Sequence, residues 1–224
     1  MPFSPEPRYE HGSASRTAVL LVNLGTPSAP DAPAVRRFLR EFLSDRRVVE
    51  IPRVIWWPIL YGLVLPFRPR KTAAKYAAIW SKQGSPLMTY SQQQALLLRG
   101  YLGERGLDVE VALAMRYGEP SIASVLAELR RTGVDRLLVL PMYPQYSATT
   151  TASVLDAVAD RIKSLRNVPE VRWVKHFHDH PGYIEALKRS VLAHWSRFGV
   201  LGTGDKLVIS FHGVPKRTLD LGDP

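Results

Sequence analysis

One histidine ends an apolar run close to the C-terminus, in the segment KLVISFHGVPKR (residues 206–217). The stretch Leu207–Ser210 has the composition of a buried strand, and the turn-forming residues from Gly213 onward follow His212 directly. In a parallel sheet, ligands bind beyond the carboxyl ends of the strands. A neutral imidazole there could accept a proton or bind a metal ion. A satisfied structural histidine is the alternative.

A second candidate site is the loop LPMYPQYSATTTAS, residues 140–153. Two tyrosines flank a Pro-Gln pair, and a run of hydroxyl side chains then meets the start of a helix. One hydroxyl suffices to cap a helix. The surplus of neutral oxygens could line a passage for a hard cation or contact the polar edge of a ligand.

Three histidines alternate along the chain at His176, His178 and His180. This spacing would place three imidazoles on one face of a strand and could form a zinc site. Asp179 and the Pro181-Gly182 pair indicate, however, that the strand has already ended. We favour a surface turn, with a metal site as the alternative.

The elements that must position these residues are strands alternating with helices. Near-continuous apolar runs predict buried strands at 18–23, 109–114, 136–140, 171–174 and 207–210. Helical patterns separate them, the first capped by Asp31. This alternation predicts a three-layer α/β fold with a Rossmann-like parallel sheet. The loop after the first predicted strand holds one glycine, Gly25, and so lacks the fingerprint of a dinucleotide-binding loop.

An insertion of about residues 51–94 interrupts this alternation. It is rich in Pro, Trp and Tyr, and its apolar stretch (54–67) is followed by Arg68, Arg70 and Lys71. The stretch is too short to span a bilayer. A packed subdomain with a solvated basic rim is one interpretation. The other is a lip that grips a flat apolar anion or rests on a membrane surface.

Composition narrows the function classes. The chain has 224 residues, no cysteine and a formal net charge of +10. Disulfides and thiolate metal sites are therefore excluded for these residues, and anionic partners are favoured. The arginines are scattered, without a nucleic-acid-binding motif, so we expect no nucleic-acid partner. No secretory signal is apparent, and residues 1–16 are predicted to be a flexible tail.

Five motifs in order resemble the ferrochelatase family: LLVNLGTP (20–27), SKQGSPLMTYSQQQ (81–94), AMRYGEPSI (114–122), LPMYPQYSATTTAS (140–153) and ISFHGVP (209–215). The Gly-Val pair after the histidine resembles the Gram-negative bacterial branch. The resemblance implies a metal chelatase of the lyase class that inserts Fe²⁺ into protoporphyrin IX, the last step of haem synthesis. It also implies a chelatase-like fold of two similar α/β domains.

The resemblance assigns roles to residues by position. His212 matches the active-site histidine, which contacts the iron and accepts a pyrrole proton. Tyr143 and Thr149 fall on the metal's route, with Tyr143 also near the porphyrin. The positions that match porphyrin-contacting residues are Arg68, Arg70, Tyr76, Ser85, Arg116 and Tyr117.

The family continues beyond the histidine motif and there carries an acidic partner for His212. We therefore expect residues 17–180 to form the first domain and residues 181–224 a connecting helix and the opening strand of the second. On that basis this chain alone is expected to be inactive. No cofactor beyond substrate Fe²⁺ and no iron–sulfur cluster are expected. The remaining expectations are a cytoplasmic location and peripheral membrane contact through residues 54–67.

Two alternatives stay open at this point. A protein that binds porphyrin or haem without catalysis could keep the same cleft. A chelatase for another metal or another tetrapyrrole would use the same chemistry with different walls.

Overall fold

The computed structural model describes residues 3–224, and its central element is a four-stranded sheet. The strand order is β2-β1-β3-β4, and all neighbouring strands pair in parallel. The strands are β1 (Arg16–Gly25), β2 (Val109–Tyr117), β3 (Val134–Pro141) and β4 (Glu170–Trp173). Four of the five predicted strands are thereby confirmed.

Both faces of the sheet are covered at its centre. Five consecutive residues of β1, Ala18–Val22, are buried. Since successive side chains of a strand point to opposite faces, helices must pack on both sides. The edge strand β4 is different, because Trp173 is largely exposed. The predicted Rossmann-like α/β architecture is confirmed.

The described residues form eight α-helices, of which the first six precede or separate the strands that follow β1. They are α1 (Ala32–Ser44), α2 (Arg53–Ile59), α3 (Leu65–Ile79), α4 (Pro86–Glu104), α5 (Ile122–Arg131), α6 (Ser153–Ile162), α7 (Pro181–Phe198) and α8 (Lys216–Asp220). Asp31 caps α1 as predicted, since its carboxylate accepts the N–H of Ala34 at 2.8 Å.

The insertion between α1 and α4 is helical rather than irregular. Helix α2 contains Pro58, which has no N–H to donate, and a π-helical turn, Leu60–Val64, leads into α3. Leu60 and Leu65 are buried against Phe38 and neighbouring residues of α1. The insertion is therefore packed onto the first helix along one side.

The predicted strand at Leu207–Ser210 is wrong for this structure. These residues form no helix or strand, and Val208 and Ile209 are exposed. A strand needs a neighbour for its backbone N–H and C=O groups. Within the described residues this segment pairs with none, so its apolar side chains stay in solvent.

The chain divides into two compact units, of which the first comprises residues 3–142 and 148–175. The second comprises Tyr143–Ser147 and His176–Pro224. In the first unit, the N-terminal segment contacts the domain through Glu6, which pairs with Arg130 at 3.3 Å, and through the N–H of Ser4, which donates to Ser164 at 2.8 Å. These contacts tie residues 4–6 down.

Candidate active site

The carboxyl ends of β1 and β2 lie in direct contact, which brings together the LLVNLGTP and AMRYGEPSI motifs that end these strands. Gly25 pairs with Tyr117 in the ladder and has φ +105°, a conformation that side chains disfavour. A Cβ at Gly25 would lie 1.9 Å from the carbonyl oxygen of Tyr117. Only glycine permits this approach.

A buried carboxylate organises the residues at this edge. Oδ2 of Asp45 accepts hydrogen bonds from Arg116 Nη2 at 2.6 Å, from the Tyr117 hydroxyl at 2.7 Å and from the Ser153 hydroxyl. Arg116 Nε also donates to the carbonyl of Ser153 at 2.9 Å. The Asp45 side chain is 8% exposed and that of Arg116 20%. We call these four residues the Asp45 network.

The network shifts the pKa values of its members. Burial by itself raises the pKa of Asp45, but the hydrogen bonds from Ser153, Tyr117 and the Arg47 N–H, with the charge of Arg116, outweigh it. The pKa of Asp45 therefore lies below its ordinary value. Burial raises the pKa of Tyr117 well above that of a free phenol, so this hydroxyl stays protonated and donates.

An aromatic cluster joins the network to the insertion. The ring of Phe38 meets those of Tyr76 and Tyr117 edge-on, both at 6.4 Å, and Phe42 contacts Tyr117 at 5.2 Å. Burial raises the pKa of Tyr76. Tyr76 of the insertion and Tyr117 of the AMRYGEPSI motif are thus connected through one phenylalanine.

A pocket of about 420 Å³ opens beside Phe38. Its walls combine apolar surface, Phe38, Trp80 and Met88, with polar groups that include Ser85. Thr26 also lines it, although its hydroxyl oxygen has no exposed surface and makes no hydrogen bond within the described residues.

The pocket carries both signs of charge. Arg37 and Glu41, one turn apart on α1, line it together. The Glu41 carboxylate accepts the N–H of Gly118 at 2.8 Å, whereas the Arg37 guanidinium makes a weak contact of 3.4 Å with Ser28. The arginine is therefore the more easily recruited of the two charges.

The other predicted residues of the first unit lie outside this pocket. Arg68 and Arg70 are exposed on α3. Arg116 is held in the Asp45 network, and Tyr117 is 2% exposed. Thr149 lies in a π-helical turn, Ala148–Ala152, that precedes α6. The structure thus brings Ser85 to the pocket and links Tyr76, Arg116 and Tyr117 to it through contacting side chains.

The predicted residues of the second unit are His212 and Tyr143. His212 is exposed and lies in the segment without helix or strand. Tyr143 is half-buried. Their role as a metal site and a metal route stays a prediction.

Sequence reasoning missed Asp45, Ser153, Phe38 and Trp80. Asp45 follows α1 directly and precedes two arginines, so a lone acid in a basic segment was the available signal. Ser153 lies at the predicted start of a helix, where a serine is ordinary. The two aromatic residues carried the hydrophobic pattern of core residues, which does not reveal a pocket wall.

None of the helices formed by residues 3–224 combines the length and apolar character needed to cross a bilayer.

Comparison with known proteins identifies the family. A sequence model of the ferrochelatase family, described as "Ferrochelatase", matches residues 16–224. The chain is 64% identical over 224 residues to a ferrochelatase of Herminiimonas arsenicoxydans and 58% identical over 222 residues to one of Dechloromonas aromatica. It spans 60% of the length of each relative, while 100% and 99% of the chain are covered. The chain belongs to the ferrochelatase family.

Proposed function

We propose that this chain carries one part of an enzyme that inserts Fe²⁺ into protoporphyrin IX, the terminal step of haem synthesis. The observation that carries the proposal is the family match over residues 16–224, which includes the ISFHGVP segment with His212. The chain spans 60% of the length of the Herminiimonas relative, so we propose the activity for the longer polypeptide of which these residues would form a part.

The first unit would hold the porphyrin. The apolar walls formed by Trp80 and Phe38 suit a flat, poorly soluble macrocycle, and Ser85 offers a polar contact at the same wall. Tyr76 is positioned by its ring contact with Phe38. Arg116 and Tyr117, which match porphyrin-contacting positions, are held in the Asp45 network and would support the pocket wall through the contact of Tyr117 with Phe38. Arg68 and Arg70, exposed on α3, would bind propionates as mobile charges.

His212 would act on the metal and on the pyrrole protons. Insertion requires the loss of two N–H protons and the removal of water from Fe²⁺. A neutral imidazole can accept one of these protons, with water taking the other, or it can replace a water ligand of Fe²⁺, which binds imidazole readily. The phenol of Tyr143 and the hydroxyl of Thr149 would contact the cation on its way, as neutral oxygen ligands.

Iron enters this proposal as a substrate. With no cysteine in the chain, these residues supply no thiolate for an iron–sulfur cluster, and none is proposed.

The membrane contact of residues 54–67 is a further part of the proposal. Val54 and Phe67 are 83% and 74% exposed, and Leu63 is also largely exposed. Arg68, Arg70 and Lys71 follow Phe67 on α3 and would attract anionic headgroups. Such a contact would give a poorly soluble porphyrin a short path between bilayer and protein.

Zinc insertion into a soluble protoporphyrin analogue, followed by fluorescence, tests the proposal. The assay would compare this chain with a polypeptide in which it is joined to the part of the Herminiimonas relative that it does not cover. We expect insertion by the joined polypeptide and none by the chain alone, where the His212 segment has no strand partner. Porphyrin binding without insertion in both would favour the non-catalytic binder.

A further inference from the structure

The turn at residues 176–180 in the second unit has a defined backbone. The N–H groups of Phe177 and His178 both donate to the carbonyl of Pro144, at 2.9 and 3.0 Å. The N–H of His180 donates to the carbonyl of Phe177 at 3.1 Å, and the rings of Phe177 and Tyr183 pack edge-on at 5.5 Å. The backbone that carries the side chains of this turn is therefore held in one conformation.

One of the three alternating histidines has a structural role. His180 is the N-cap of α7, and its Nδ1 accepts the N–H of Gly182 at 3.1 Å. This hydrogen bond takes the place of the serine or aspartate oxygen usual at a cap. The i, i+2, i+4 set is thus reduced to His176 and His178.

An aspartate completes a different set of three. One ligand atom each of His176, His178 and Asp179 lies within 4.8 Å of the other two. His176 Nδ1 is 3.7 Å from Asp179 Oδ1, and the two imidazole rings are 5.1 Å apart. All three side chains are exposed, so a hydrated ion can reach them.

We propose that His176, His178 and Asp179 form a binding site for a borderline divalent transition-metal ion, of the class that includes Fe²⁺, Co²⁺ and Zn²⁺. Two imidazoles and one carboxylate suit these ions and disfavour Mg²⁺ or Ca²⁺. With metal–ligand bonds of about 2.1 Å, tetrahedral ligand atoms lie about 3.4 Å apart. Exposed side chains can close the remaining distance, about 1.4 Å at most, by rotation.

Such a site would exchange its ion readily. Three protein ligands leave at least one position for water, and no burial of the side chains opposes release. The proposal does not involve His212 or the pocket of the first unit. Its failure would therefore leave the proposed function untouched.

Titration of the chain with Co²⁺, followed by visible absorption, tests the site. The measurement would be made in a His212→Ala background, so that this residue cannot contribute. We expect saturable binding of one ion, weakened about tenfold or more by His178→Ala and by Asp179→Asn. His194→Ala is the matched control, since it removes an exposed histidine from α7 and should leave the affinity unchanged.

Far-UV circular dichroism of each variant would check that α7 is retained. Absence of saturable binding would overturn the proposal. So would equal affinities of the parent, the His178→Ala variant and the Asp179→Asn variant, because the ion would then be bound elsewhere.

Discussion

At the scale of single residues, the contact between Gly25 and Tyr117 determines how closely the carboxyl ends of β1 and β2 approach each other. Gly25→Ala should destabilise the fold by roughly 3 kcal/mol or more, since it adds strain at φ +105° to a clash with backbone. Gly100→Ala is the control, because Gly100 lies in α4 and a Cβ added there would meet no other atom within 4 Å. That variant should gain up to about 1 kcal/mol. Urea unfolding of both variants would measure the difference, and equal stabilities would contradict the packing described.

The Asp45 network makes a second residue-level prediction. Asp45→Ala leaves the buried charge of Arg116 and the Tyr117 hydroxyl without their shared acceptor, which should cost about 3 kcal/mol. Asp160→Ala removes an exposed partner of Lys163 and should lower the stability of the fold much less than Asp45→Ala does. Chemical denaturation would compare them. A loss below about 1 kcal/mol for Asp45→Ala would show that the network adds little to stability.

The pH dependence of that network has a defined sign. Since the pKa of Asp45 is lower in the folded state than in the unfolded chain, its ionised form stabilises the fold above the ordinary aspartate pKa of about 4. This contribution is lost as pH falls through the folded-state pKa. The difference in free energy of unfolding between the wild type and Asp45→Asn should therefore become smaller below about pH 4. A difference that stays constant down to pH 2.5 would refute the assigned shift.

At the scale of elements, the exposed face of residues 54–67 is the part whose function can be tested directly. Val54→Ser together with Phe67→Ser should weaken sedimentation with anionic phospholipid vesicles about tenfold or more, because two exposed apolar side chains are lost. Ile79→Ser, an exposed apolar change on α3 outside this face, is the control. Unchanged vesicle binding of the double variant would remove the membrane contact from the account.

The elements also show what the sequence could reveal. Strands β1, β2 and β3 and the Asp31 cap were predictable, because buried apolar runs and capping residues leave local patterns in the sequence. The strand predicted at 207–210 was wrong, since an apolar run by itself does not show whether a neighbouring strand is present to pair with it. The helical character of the insertion was obscured by Pro58 and Pro69, which lie inside its helices.

The candidate site was predictable only in part, for the same reason. The positions of Tyr76, Ser85 and Tyr117 were predicted from the family resemblance, and the structure connects these residues through the pocket wall at Phe38. Asp45 and Ser153 meet through contacts that span 108 residues of chain, and no local spacing encodes such a meeting. The pocket wall formed by Phe38 and Trp80 likewise depends on the packing of α1 against the insertion.

At the scale of the whole molecule, porphyrin binding is proposed for the first unit, and His212, the residue proposed to act on the metal, lies in the second. His212 is the residue to test, because it is the one predicted group that would act on both the cation and the pyrrole protons. If the proposal holds, removing its imidazole must affect insertion much more than porphyrin affinity.

The measurement that tests this most directly is zinc insertion by the joined polypeptide with His212→Ala, together with porphyrin affinity from fluorescence quenching. We predict that insertion falls at least about 100-fold, the usual scale for losing an acid–base group, while porphyrin affinity changes less than about threefold. His194→Ala, the matched exposed histidine, should leave both unchanged. Insertion that survives His212→Ala at the wild-type rate would contradict the central claim.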